Sequence, residues 1–176
     1  ASVSAADLNT LDGLTTVAID AENVSTITST GLTDINTLYA SSGFSGLGDE
    51  TIEITDELSV AEANTLDDLT TGSIVATIGN TRVSNLLGSA SLSDANGNNA
   101  YTISISTEDA AVSASDLVST TSLTSNPVNI SNVRDITNSS IQEFQEFGAA
   151  IIGNEFDNPN NTVLSSVALS DETIDA

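Results

Sequence analysis

Apolar residues recur along the chain in two alternating rhythms. Spacings of three and four put Leu8, Leu11 and Leu14 on one face of a short helix, and the same holds for Leu32, Ile35 and Leu38, and for Ile141, Phe144 and Phe147. Between these helices, alternating β-branched positions predict extended chain over 17–19, 24–27, 51–55, 73–78 and 163–169. The helix starts are signalled by Ser4-x-x-Asp7, Ser59-x-x-Glu62, Ser113-x-x-Asp116 and Ser140-x-x-Glu143, each a Ser with a carboxylate three residues on. Gly31 stands where a fifth such Ser would fall.

The rhythms repeat. Asp7-Leu8-Asn9-Thr10-Leu11 returns as Asp34-Ile35-Asn36-Thr37-Leu38 and as Glu62-Ala63-Asn64-Thr65-Leu66, a period of about 27 residues. Asp116-Leu117 and Glu143-Phe144 continue the phase. A longer period overlies it, because 3–28 aligns without gaps on 112–137. No copy is evident near Ser89; a β-hairpin is expected there instead, over about 89–107, with its loop at Asp94-Ala95-Asn96-Gly97-Asn98-Asn99. One such unit cannot bury its own apolar face, so its neighbours must stack on it.

The expected fold is therefore α/β: a solenoid-like array of strand-plus-short-helix repeats carrying a hairpin insertion. A first block spans 1–109 and a second, partial block spans 110–176. The alternatives are α+β or β-rich tandem domains. The tail 167–172 reads like 53–57, the strand leading into a capped helix, whereas the first residues open almost directly on such a helix. Either the chain adjoins further repeats, or one subunit's tail completes the next subunit's first unit, a head-to-tail contact that builds open filaments. Val167, Leu169, Ile174, Val3 and Leu8 are the expected interface.

Composition narrows the chemistry. Among 176 residues, 25 Asp and Glu face two Arg, with no Lys and no His, for a net charge of −23. Ser, Thr and Asn together far outnumber charged residues, and Cys, Met and Trp are absent. Without Cys, His or Lys there is no zinc finger, no thiol nucleophile, no Ser-His-Asp triad and no Schiff base. Two Arg cannot neutralise a run of phosphates, so nucleic acid is excluded as a partner. No apolar run is long enough for a membrane span. Such self-repelling charge is tolerated best in a saline or calcium-containing medium.

The phrases LNTLDGLTT (8–16), NTLDDLTTG (64–72), YASSGFSGLGDE (39–50) and NAYTISIS (99–106) resemble the repeats of very large secreted or cell-surface bacterial proteins of the marine cyanobacterial type. The resemblance covers 1–125 and fades beyond 138. It implies a surface layer, an adhesin or a motility-associated coat, often with calcium, and it brings no catalytic motif.

Oxygen-rich turns are the candidate metal sites. Asp94, Asn96 and Asn98 alternate in one loop, Asp49 and Glu50 close another, and Glu155 and Asp157 stand in a third. A hard cation such as Ca²⁺ would suit them, although the Gly and bidentate Glu of an EF-hand are missing and such turns need no metal. The recurring carboxylates Asp7, Asp34, Glu62, Asp116 and Glu143 read as helix caps first. Asp49-Glu50 and Asp67-Asp68 are adjacent acids, but adjacency does not set two carboxyls across a sugar cleft. The expectation is a non-enzymatic, extracellular or cell-surface building block of a filament, sheath or coat. A calcium-dependent adhesin or glycan-binding module is the alternative.

Overall fold

The computed structural model describes residues 1–94, 98–158 and 166–170. Among these residues the chain is mixed α/β. The helices are α1 (Ala5–Asp12), α2 (Leu32–Ala40), α3 (Val60–Asp67), α4 (Val83–Leu87), α5 (Ala114–Thr121) and α6 (Ile141–Ile152). The strands are β1 (Ser2–Ser4), β2 (Ile19–Asp20), β3 (Thr26–Ser29), β4 (Phe44–Ser45), β5 (Thr51–Leu58), β6 (Ile74–Thr81), β7 (Ala100–Ile105), β8 (Ala111–Val112), β9 (Val128–Asn129), β10 (Asp135–Ser139), β11 (Phe156–Asp157) and β12 (Ser166–Leu169).

A seven-stranded sheet runs β1-β3-β5-β6-β7-β9-β11, beside a three-stranded sheet β12-β10-β8 and the pair β2-β4. Every strand pair among the described residues is parallel. Within each sheet the strands follow one another in chain order, and the sheet is open, with β1 and β11 at its edges. Parallel neighbours need a crossover, and here short helices and turns provide it. The helices pack α1 on α2, α4 on α5 and α5 on α6.

Register builds the core. Val3, Ile27, Ile52 and Ile74 stand opposite one another on consecutive strands, and so do Leu58, Ile78 and Ile103. Ile27, Ile52, Ile74 and Ile103 have no exposed surface. The helices close the layer with Leu8, Ile35, Leu38, Leu66, Leu86 and Leu117. Each such side chain contributes about 2 kcal/mol of burial, so stacked medium-sized residues supply a core without Trp and with few aromatics.

The helix starts follow the sequence signals. Ser4, Ser59, Ser113 and Ser140 each accept from the N–H of the residue three on, whereas Gly31 gives no side-chain cap. At Ser59 and Ser140 the box is reciprocal, with Glu62 and Glu143 accepting from the cap backbone at 2.8 and 2.7 Å. The backbone and hydroxyl of those serines hold both carboxyls below the usual carboxylate range. Their contribution is thus complete at neutral pH and is lost as pH falls through that range. Ser59→Ala and Ser140→Ala should each lower stability by about 1 kcal/mol in urea melts. A double variant that melts like the parent would mean that the boxes carry no weight.

The hairpin is not formed. β7 pairs parallel with β6 on one side and β9 on the other, so no antiparallel partner remains for it. Residues 91–94 are tied elsewhere: Leu92 N–H donates to Leu86 O at 2.9 Å and Ser93 N–H to Asn64 Oδ1 at 2.7 Å. The helix absent from the sequence pattern near Ser89 is α4, five residues long and begun by Arg82 without a side-chain cap. A short, uncapped helix leaves little periodicity to read. The seven-stranded sheet passes across residue 109, with β7 bonded to β9 at Ser104 and Asn129.

Candidate functional site

The adjacent acids split, one inward and one outward. Glu50 is buried and its carboxylate is already used: Tyr39 Oη–H donates to it at 2.8 Å and Gly48 N–H at 2.9 Å. Its neighbour Asp49 is exposed. Asp67 is likewise buried, taking Ser93 Oγ–H at 2.6 Å and Asn99 Nδ2–H at 2.8 Å, while Asp68 faces solvent. Asp94 Oδ1 accepts from Asn99 N–H at 3.1 Å, Asn98 is exposed, and Asn96 lies outside the described residues. Glu155 and Asp157 are both exposed and flank Phe156 at β11. No group of three or more metal-ligating carboxylates forms among the described residues.

Both tyrosines of the chain are held neutral. Burial, reinforced by the hydrogen bond to Glu50, raises the Tyr39 phenol well above its ordinary value. Burial, then the negative charge of Asp67 and Asp94, does the same for Tyr101. The folded phenols resist ionisation that the unfolded chain allows, so stability is complete below about pH 10 and falls above it. Tyrosinate absorbance should therefore appear together with loss of circular dichroism in one alkaline step. Ionisation of either Tyr before unfolding would contradict this burial.

The polar repeats turn out to be joints between successive units. Thr70 Oγ1–H donates to Glu50 O at 2.8 Å, and Thr71 Oγ1–H to Gly48 O at 3.1 Å. At the later copy, Thr124 Oγ1–H donates to Tyr101 O at 2.7 Å and Ser125 Oγ–H to Asn99 O at 3.2 Å. Asn64 Nδ2–H reaches Ser91 O and Asn9 Nδ2–H reaches Asp34 O, each at 2.9 Å, while Asn132 Nδ2–H reaches Ile105 O at 2.8 Å. The Thr, Ser and Asn132 side chains bond carbonyls at or beside strands, whereas Asn9 reaches from α1 to a carbonyl of α2 and Asn64 from α3 to the segment after α4. The signal for them in the sequence is recurrence alone: the Asn of the D/E-x-N-T-L motif and the Thr pair of L-T-T return in the strongest repeats.

Exposed apolar residues gather at the two ends of the molecule. Leu11, Leu14 and Val17 are exposed near the start, with Leu14 at 79% and Val17 at 74%. Ile141, Ile151 and Ile152 on α6 and Val167 and Leu169 on β12 are exposed near the other end. Val75 is the one large exposed apolar residue between them among the described residues. Of the expected interface residues, Val167 and Leu169 thus lie open on an edge strand. Val3 is half-buried on edge strand β1, and Ile174 lies outside the described residues. Leu8 belongs to the core, because α1 turns it inward beneath β1 and β3.

Arg82 pairs with Glu108, its guanidinium reaching the acid next to β7 from the N-cap of α4. A shallow groove of about 650 Å³ opens between α3 and α4, lined by Ser59, Asn80, Ser84, Asn85 and Ser89, with Glu57 as its one charged wall. One carboxylate without a partner acid offers no general acid–base pair. No described helix is long and apolar enough to cross a membrane. No protein-family model matches the chain, and no curated protein or solved structure matches it either.

Proposed function

We propose that this protein is a structural repeat protein of the cell surface or extracellular space, a building block of a filament, sheath or coat. On this reading the units of about 27 residues form a solenoid-like array, and arrays continue one another head to tail. The observation that carries it is the placement of exposed apolar side chains at both ends of sheets whose strands follow one another in chain order. Contiguous exposed apolar surface marks an interaction site more often than chance exposure does. The role is mechanical, and the reading assigns no reaction to the chain. Lys-free, acidic side walls would repel one another until salt or divalent cations screen them, which favours end contacts over lateral ones. The resemblance of residues 1–125 to secreted bacterial repeats supports the same location.

Negative-stain microscopy across a concentration series, in calcium and in chelator, tests this reading. Filaments with a regular axial repeat are the expected result, whereas single particles at every concentration and in both media would refute self-assembly. The groove between α3 and α4 favours a second reading, a glycan-binding module, because its Ser and Asn side chains match sugar hydroxyls. That reading requires saturable glycan binding by a monomer, with chelator sensitivity if calcium bridges the contact.

A further inference from the structure

The groove between α3 and α4 is made by irregularities in the strands beneath it. The register of β5 with β6 shifts between Glu53 and Glu57, and that of β6 with β7 shifts between Ile78 and Thr81. Bulges are uncommon in parallel pairs, and each re-aims the side chains beside it. Here they bring Glu57 and the step Gly79-Asn80 to the groove wall. The Glu57 carboxylate lies over Gly79, 3.5 Å from where a Cβ would stand. In the helix layer α4 has only five residues, and α3 and α4 do not close on each other as α4 and α5 do.

The polar side chains of this wall are uncommitted. Glu57, Asn80, Ser84 and Ser89 are exposed and make no hydrogen bond or ion pair to any described residue. Buried Glu50 and Asp67, by contrast, spend their oxygens inside the fold. Leu58, Val60 and Ile78 give the groove an apolar side. No cationic side chain lines it: Arg82 gives its guanidinium to Glu108, and Arg134 stands before β10.

These features select among ligands. One carboxylate does not make a calcium site, which needs about six to eight oxygens. A peptide strand finds no edge to join, because β5 and β6 are each paired on both sides. A uronic or sulfated sugar would meet an unshielded acid on a chain of net charge −23. An amino sugar meets every feature: hydroxyls for Asn80, Ser84 and Ser89, a C–H ring face for the apolar side, and an ammonium for Glu57.

We infer that the groove binds glycans carrying a free amine, of the glucosamine type, and that Glu57 selects the charge. This rests on the glycan-binding reading above and names its sugar class; it does not depend on head-to-tail assembly.

Calorimetric titration of the full chain at low salt, with the glucosamine disaccharide and its N-acetylated counterpart, tests the assignment. The free amine should bind at least about threefold tighter, and the preference should shrink in about 1 M salt. Glu57→Gln, on an exposed side chain, should erase the preference and leave binding of the N-acetylated sugar unchanged. Equal affinities, or a preference that survives Glu57→Gln, would overturn the amine selection while the glycan-binding reading stands. If neither sugar binds at millimolar concentration, both fall together. Ala61→Leu, which narrows the groove from α3, should weaken both sugars; unchanged binding would place them elsewhere on the molecule. Tighter binding of a Lys-containing tripeptide than of either sugar would give the groove to peptides instead.

Discussion

Ile52→Asp should abolish the cooperative thermal transition. Ile52 is fully buried between Ile27 and Ile74 on the central strands β3, β5 and β6. Losing the apolar side chain removes about 2–3 kcal/mol of burial. A carboxyl in its place has no partner in that column, and burying it adds several kcal/mol more, whether it stays charged or takes up a proton. A domain of this size holds about 5–15 kcal/mol in total, so the loss approaches the whole. Ile52→Val, which keeps the column, should cost about 1 kcal/mol and serves as the control. Circular dichroism melts decide the matter. If Ile52→Asp melts like the parent, β5 does not lie in the core, and the parallel register of its neighbours is wrong with it.

Asn99→Ala should be the most damaging polar substitution, at about 3 kcal/mol. Asn99 has no exposed surface, and its amide is committed at both ends: Oδ1 accepts from Ile74 N–H and Nδ2–H donates to Asp67, both at 2.8 Å. Truncation strands a buried backbone donor at the start of β6 and removes a neutralising donor from a buried carboxylate. Urea unfolding of Asn99→Ala, Asp67→Ala and the double variant should reveal a coupling of about 1 kcal/mol or more. Additive losses would mean that the two side chains act separately. A loss below that of a surface Asn→Ala change, within about 0.5 kcal/mol, would remove Asn99 from the core altogether.

The hydrophobic rhythm made most of the framework legible. Capped helices at Ser4, Ser59, Ser113 and Ser140 and strands around 51–55 and 73–78 are where local signals place them. Those signals are short-range: a hydroxyl three residues from an N–H, or a run of β-branched side chains. The segment around 89–107 reads as a hairpin because Asn-Gly chemistry favours a tight turn locally, whereas in the fold the strand edges of β6 and β9 offer β7 partners on both sides. The oxygen-rich turns are only partly legible for a related reason. Composition reports oxygens but not their direction, and Glu50 spends its oxygens on Tyr39 and Gly48.

By itself, the sequence determined the period, the caps, the strand segments and the absence of thiol, imidazole and amine chemistry, all properties of one residue or of residues a few positions apart. The tertiary structure alone decided which strands pair and in what register, because a strand's edge accepts any partner that its neighbours leave free. It also decided that one acid of each adjacent pair turns inward and that Thr70 and Thr124 clamp successive strands. Where the apolar residues stay exposed was equally beyond the sequence. Leu66 and Leu11 occupy the same place in their repeats, yet one is buried and the other exposed, because burial depends on what the rest of the fold packs around a helix and not on the helix's own few residues.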